Sequence, residues 1–446
     1  MFFLKKIFSP LFLTLSLILL SYIIYKSEIV WSGQRLSLYK FYYIFSFLLI
    51  IFSILSFFFN SKIKEYILIS LISIFCGLYI CEGYFTYKNY QLLKFVSKEN
   101  DKKIQDLNIG NIDKRSKLKI FEDLKKSDKK IQIVVSPSNH LSSKEKIFPL
   151  AGVANSKTIH CNENGYYSIY ESDKYGFNNP NKEWSKNEIE YLLLGDSFAH
   201  GACVNRPYDI ASVLRSLTDK SVINLGFSGT GPLIQFAALK EYFPLNVKNV
   251  LWLYYEGNDL IDLSKEKKDP ILEKYLIDTS FVQNLKNNQK KINNIVKKSV
   301  KKQLLLKKKK SNTKLIKFLK LNALRVKLNI FLSENNQLDI YPITDEFVDI
   351  IKYSKEFVEK ENSKFYFIYL HNYNIENFIH KNSQYKKIKD LMNKLDVPFI
   401  DIHKNIYENL NLNEIPGSFK NRYLIGGHHD NNGYGKIANI IYQSTK

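Results

Sequence analysis

A three-layer α/β domain with a parallel sheet, preceded by three transmembrane helices, is the architecture that this 446-residue sequence predicts. Three observations predict it. The first 88 residues hold three long apolar runs. After residue 130, short and continuously apolar runs alternate with helix-length segments. The glycine-rich motifs stand directly after some of those apolar runs. A strand covered on both faces reads as an unbroken apolar run, and parallel strands need helical crossovers. Ligands of such sheets bind at the C-terminal ends of the strands.

The membrane part comes first in the chain. Residues 7–25 and 41–59 carry no charge, and the run 66–81 extends through Glu82 to an aromatic edge at Tyr84, Phe85 and Tyr87. A helix needs about 20 apolar residues to cross a bilayer, so spans of about 7–25, 41–59 and 66–87 are expected. Lys5, Lys6, Lys26, Lys40, Lys62, Lys64 and Lys88 bracket them, where ammonium heads reach water. The exit of the first run, from Leu20 to Tyr25, lacks the small residues of a signal-peptide cleavage site. Residues 1–88 are therefore read as a membrane anchor, with the lipid bilayer as partner. Glu82, at the end of its span, is expected at the interface. Lysine counts on the two sides of the spans favour a cytoplasmic C-terminal part.

The net charge is +22, from 65 basic and 43 acidic residues, yet only Arg35, Arg115, Arg206, Arg215, Arg325 and Arg422 are arginines. Phosphate and base recognition favours the arginine fork, so no nucleic acid is expected as partner.

Residues 89–130 are polar and lysine-rich and read as a linker or stalk. Strands are expected at 131–135, 190–194, 222–225, 250–254, 365–370 and 397–400, and helices at 209–217, 232–242, 346–360, 375–395 and 435–443. Residues 131–446 thus form the α/β domain, interrupted by a lysine-rich helical insertion at about 270–345. Fourteen lysines lie between Lys286 and Lys320. That composition suits a basic helix on an anionic membrane surface, or a solvated helical insertion.

Four motifs carry chemistry. Gly195-Asp196-Ser197 places a serine on a tight turn at a strand exit, where a nucleophile can reach a carbonyl. Asn224-Leu225-Gly226-Phe227-Ser228-Gly229 is a glycine-rich strand exit whose amides could hold an oxyanion or a phosphate. Glu256-Gly257-Asn258-Asp259 offers an amide donor on the same rim. Gly427-His428-His429-Asp430 leads into the last helix, with Gly433-Tyr434 five residues beyond His428. Each alone is compatible with an ordinary turn.

In this order the four blocks resemble the SGNH hydrolases, also called GDSL esterases and lipases, over residues 189–445. The resemblance implies a flavodoxin-like three-layer fold and a serine esterase or O-acyltransferase of the membrane-anchored bacterial type. It implies Ser197 as nucleophile and His428 as base, with the amides of Ser197 and Gly229 and the side chain of Asn258 as oxyanion hole. His429 is the rival base, but the spacing to Gly433 favours His428. Asp196 and Glu256 are supporting candidates. The family usually has an aspartate three residues before its histidine, where this chain has Ile425. Either His428 works without an acid, or another acid such as Asp401 replaces it, or the site is weakened.

No cofactor is expected, and no His/Cys cluster has metal-ligand spacing. Cys161 and Cys203 are the two cysteines outside the spans, and Cys203 lies six residues beyond Ser197. They are a candidate disulfide, with reduced buried thiols as the alternative. A bridge requires an oxidising compartment, which favours an inner-membrane protein whose catalytic domain faces the periplasm, against the lysine count. The expected substrates are acyl esters, in particular O-acetyl groups of a cell-envelope polysaccharide. Lipase or thioesterase action on lipid substrates, and glycan binding or assembly without catalysis, are the competing readings. Three spans are too few for an acyl channel, so a transferase would need a membrane partner or a soluble acyl donor.

Overall fold

The continuous apolar runs become a five-stranded, all-parallel sheet. The computed structural model describes residues 2–30, 36–106, 113–308, 313–328, 342–371, 383–402 and 427–446. The chain divides into two units, Met1–Glu99 with Thr313–Leu332, and Asn100–Asn312 with Ser333–Lys446.

In the first unit, α1 (Phe2–Ile24), α2 (Leu36–Leu55) and α3 (Ser61–Asp106) supply three stretches long and apolar enough to cross a membrane: Ile7–Ile29, Tyr39–Phe58 and Ser61–Leu92. Helices α1 and α2 pack against each other through small residues. Ser9, Ser16, Ser46, Ser53 and Ser56 are buried, and the Ser9 hydroxyl donates to the Ser56 carbonyl at 3.0 Å. Small side chains let helix backbones approach where lipid offers no hydrophobic drive.

The second unit opens with α4 (Lys117–Ser127), whose Ile120 and Phe121 join the main core. Three short strands, β1 (Gln132–Ile133), β2 (Lys157–Ile159) and β3 (Ile169–Glu171), form a separate small sheet in the order β1-β2-β3. The run at 131–135 therefore pairs with β2 and does not enter the main sheet. Its partner strands are three residues each, too short to show a periodicity.

The main sheet consists of β4 (Ile189–Gly195), β5 (Val222–Asn224), β6 (Val247–Tyr255), β7 (Lys364–Leu370) and β8 (Phe399–Asp401), in the order β5-β4-β6-β7-β8. Every pairing is parallel. Alternate side chains serve two cores. Leu192, Leu194, Trp252 and Tyr254 face one, while Tyr191, Leu193, Leu251 and Leu253 face the other. That is why these strands read as unbroken apolar runs. The first core is covered by α7 (Pro232–Tyr242) and α13 (Asp345–Lys360), the second by α6 (Ile210–Thr218) and α15 (Asn431–Thr445). Short helices α5 (Ser197–His200) and α8 (Asp259–Glu266) follow the exits of β4 and β6, α9 (Lys274–Ile277) follows α8, and α14 (Ser383–Lys394) precedes β8. The part of the expected helix 375–395 before residue 383 lies outside the described residues.

The insertion divides between the units. Leu272, Tyr275 and Leu285, with Ile292, Val296 and Val300 of α10 (Gln289–Lys308), are buried in the main core. Helices α11 (Thr313–Leu319) and α12 (Asn322–Lys327) belong to the first unit.

Strand order reverses at β4: the chain moves to one side for β5 and to the other for β6. A crevice forms at such a switch point, outside the carboxyl ends of the strands. Ser197 stands there.

Candidate active site

The turn carrying Ser197 is dictated by its neighbours. Gly195 has φ +144°, and a Cβ there would lie 2.6 Å from the Leu253 carbonyl oxygen and 2.8 Å from the Ala199 Cβ. Only glycine allows the strand to end this close to β6 and α5. The Asp196 side chain then caps α5, accepting from the Phe198 N–H at 2.9 Å, and accepts from the Ser197 hydroxyl at 3.3 Å. Burial pushes the Asp196 carboxyl up to about 6. This acid supports the turn and touches the Ser197 hydroxyl.

The second block is laced to the first. The Asn224 amide donates to the Ala199 carbonyl at 2.6 Å, its Oδ1 accepts from Gly226 N–H, and Phe227 N–H donates to the Gly195 carbonyl. Gly229 has φ +74° and receives the Ser136 hydroxyl on its carbonyl at 2.8 Å. Asn178 and Asn179, in a turn with no role legible in the sequence, brace both blocks. Asn178 donates to the His200 carbonyl and Asn179 to the Asn224 carbonyl.

The third block contributes Asn258, whose Nδ2 donates to Asp262 at 3.1 Å. A side-chain amide has a second N–H besides the one given to Asp262.

His428 is brought to the serine: its Nε2 lies 2.8 Å from Ser197 Oγ. His429 is buried against Phe198 and Tyr434, with ring centroids 5.2 and 5.7 Å away. The adjacent histidines thus divide into one at the serine and one in the core.

The acid on His428 is one that the sequence did not disclose. Glu163, between β2 and β3, has Oε1 3.1 Å from His428 Nδ1, and its Oε2 accepts the His428 backbone N–H at 2.6 Å. Ile425 lies outside the described residues. Asp401, the expected substitute, is corrected: its carboxylate accepts from the Tyr385 hydroxyl at the end of β8, and the Nδ1 side of His428 is held by Glu163. Glu256 is buried and lies 3.0 Å from His371 Nδ1, at the neighbouring strand ends.

The loop around Glu163 is tied on both sides. Cys161 and Cys203 form a disulfide. Asn164 donates to the Cys203 carbonyl at 2.8 Å, Asn162 to the Asp113 carbonyl at 2.7 Å, and Asp113 N–H to the Gly165 carbonyl. The bridge lies beside the histidine, with Cys203 Sγ 3.9 Å from His428 Nδ1. Cys161, Cys203 and His428 are close enough to suggest a metal cluster, but both sulfurs are committed to the bridge and offer no thiolate.

Below the Gly229 loop, Ser228 Oγ lies 2.7 Å from His160 Nε2 and 3.1 Å from His200 Nδ1. The Ser228 N–H donates to His200 Nδ1, which requires an unprotonated Nδ1. Burial, with a smaller effect of nearby His428, pulls His200 down to about 3. The unfolded chain therefore binds a proton that the folded chain excludes between pH 6.5 and 3, and stability is lost as pH falls through that window. The advantage of wild type over His200→Gln should shrink on acidification by up to about 1.4 kcal/mol per pH unit. Thermal unfolding of both proteins in detergent at pH 7 and pH 5 tests this; a pH-independent difference contradicts it.

No protein-family profile and no curated protein sequence matches the chain. Among solved structures it is similar to a chain from Desulfitobacterium hafniense DCB-2 assigned to the G-D-S-L family of lipolytic proteins. The two are 11% identical with a TM-score of 0.31, over 58% of this chain and 99% of that one.

Proposed function

We propose that this protein is a membrane-anchored serine acyl-ester hydrolase of the SGNH type, acting outside the cytoplasm on O-acyl groups of the cell envelope. The supporting observation is the continuous relay Ser197 Oγ, His428 Nε2, His428 Nδ1, Glu163. In the proposed reaction Ser197 Oγ attacks the acyl carbon and passes its proton to His428 Nε2. The carbonyl oxygen becomes an oxyanion facing the amides of Ser197 and Gly229 and the Asn258 side chain. His428 returns the proton to the departing alcohol, leaving an acyl-serine. Water resolves it in hydrolysis, and a second alcohol does so in transfer. Glu163 keeps the Nδ1 proton facing away from the serine and stabilises the imidazolium.

Envelope polysaccharide acetyl groups are the narrower substrate assignment, and lipid esters are the competitor at a membrane surface. The test is turnover of O-acetylated glycan, p-nitrophenyl acetate, phospholipid and thioester by the full-length protein beside Ser197→Ala. Serine-dependent release of acetate from glycan supports the assignment, and release of fatty acid alone replaces it with a lipase. No serine-dependent release and no phosphonate labelling would leave a binding protein.

The Cys161–Cys203 bridge supports the outward placement, since such bonds persist in oxidising compartments. Lys126 on α4 is well exposed. In a Cys76→Ser/Cys81→Ser background, Lys126→Cys should react with a membrane-impermeant maleimide on intact cells. Reaction only after lysis would put the domain in the cytoplasm.

A further inference from the structure

Glu82 is an acid near the exit of the third span, and it is 1% exposed. About 20 residues counted from Tyr66 reach Phe85, so Glu82 lies within a turn of the bilayer boundary. A carboxylate there is costly unless its oxygens are hydrogen-bonded. Both are: Oε1 accepts from the Ala323 N–H at 3.0 Å and Oε2 from the Leu324 N–H at 2.7 Å. These are the second and third amides of α12, and Leu321 before the helix provides no side-chain cap. Glu82 thus caps α12 from another helix, with its charge at the positive end of the helix dipole. One turn earlier on the same face of α3, the Tyr79 hydroxyl donates to the Leu319 carbonyl at 3.0 Å, and its ring lies 5.7 Å from that of Phe318. The part of the insertion that belongs to the first unit is therefore seated on the third span through Leu319, Ala323 and Leu324.

The seated segment turns large apolar residues outward. Leu315, Ile316, Leu319, Val326 and Leu328 are exposed, with Leu315 at 62%. Exposed Lys317, Lys320 and Lys327 lie among them. They flank a span whose own Phe75, Ile80 and Tyr84 are exposed. In water this surface would be a liability. At a membrane interface, leucines with interleaved lysines are the composition of a helix lying at the headgroup boundary.

We propose that residues 313–328 are a lipid-facing foot, docked on the third span by Glu82, with apolar side chains in the acyl boundary and lysines on anionic lipid headgroups. This explains why a chain so rich in apolar and basic residues is inserted into an α/β domain and returns to the membrane unit.

The test uses the full-length Cys76→Ser/Cys81→Ser protein in nanodiscs of phosphatidylcholine and phosphatidylglycerol, with an NBD probe on Leu315→Cys. Leu245→Cys on the α/β unit, 85% exposed, is the control. The Leu315 probe should be quenched by doxyl-labelled lipid and shielded from iodide, the control probe the reverse. Adding Glu82→Ala should abolish the lipid quenching, and nanodiscs of phosphatidylcholine alone should weaken it. A Tyr79→Cys/Phe318→Cys pair, which leaves Glu82 in place, should join through a short bismaleimide. An iodide-accessible Leu315 probe, an unjoined pair, or lipid quenching indifferent to Glu82→Ala or to loss of the anionic lipid would overturn the proposal.

Discussion

Ser197→Ala is expected to remove ester hydrolysis and labelling by a serine-directed phosphonate together, lowering turnover about 10⁴–10⁶-fold. His428→Ala should match it, because His428 Nε2, 2.8 Å from Ser197 Oγ, is the proposed acceptor of the serine proton during attack. Ser197 opens α5 and His428 lies just before α15, and neither belongs to the two cores, so neither change should unfold the domain, which circular dichroism checks. Asn258→Ala should retain more activity, with a loss of about 10²–10³-fold for one oxyanion donor. His429→Ala acts through a different property. Its ring is buried beside Phe198 and Tyr434, so the expected result is lower stability. Turnover retained in His428→Ala but lost in His429→Ala would refute the assignment of the base.

Glu163→Gln is expected to lower kcat about 10²–10⁴-fold with little change in KM for a small ester. Glu163 Oε1 lies 3.1 Å from His428 Nδ1 and, in the proposed reaction, accepts its proton. An amide in its place can present N–H to Nδ1, moving the ring proton to Nε2, where it opposes proton transfer from Ser197. Glu163→Asp should recover part of the loss, since the charge is kept and only reach is shortened. Glu163 is partly exposed, which places the effect below that of removing the serine. The disulfide should act through the same residue. Opening it with dithiothreitol frees the loop two residues from Glu163, so turnover should fall in wild type and much less in Glu163→Gln. Equal sensitivity of the two proteins would separate the bridge from the acid. An unchanged kcat in Glu163→Gln would show that His428 needs no acid.

The parts legible in the sequence are those whose physics is local. The β4, β6 and β7 runs are readable because burial on both faces makes almost every residue apolar. Three of the four site blocks are readable because a strand exit packed against its neighbours demands glycine at particular positions, as at Gly195. The fourth stands at the mouth of a helix, where Asp430 caps α15 through the Gly433 N–H. The same reasoning misassigns residues 131–135, since an apolar run does not say which strand it pairs with. It also passes over β2 and β3, three residues each.

Glu163 was beyond it for a related reason. It sits in the polar run Asn162-Glu163-Asn164 between two minimal strands, with no periodicity or neighbouring glycine block to single it out. The one available signal was indirect: a bridge from Cys161 to Cys203 brings residue 163 to the neighbourhood of Ser197. By itself the sequence determined the three long apolar helices, the layered α/β class, the tight turn at Ser197 and the choice of two candidate histidines. Tertiary structure alone decided which histidine meets the serine, which acid meets that histidine, and which amides meet Glu82. Those contacts join residues 231, 265 and 241–242 positions apart, and at such separations partners are chosen by packing of the folded chain, not by local conformational preference.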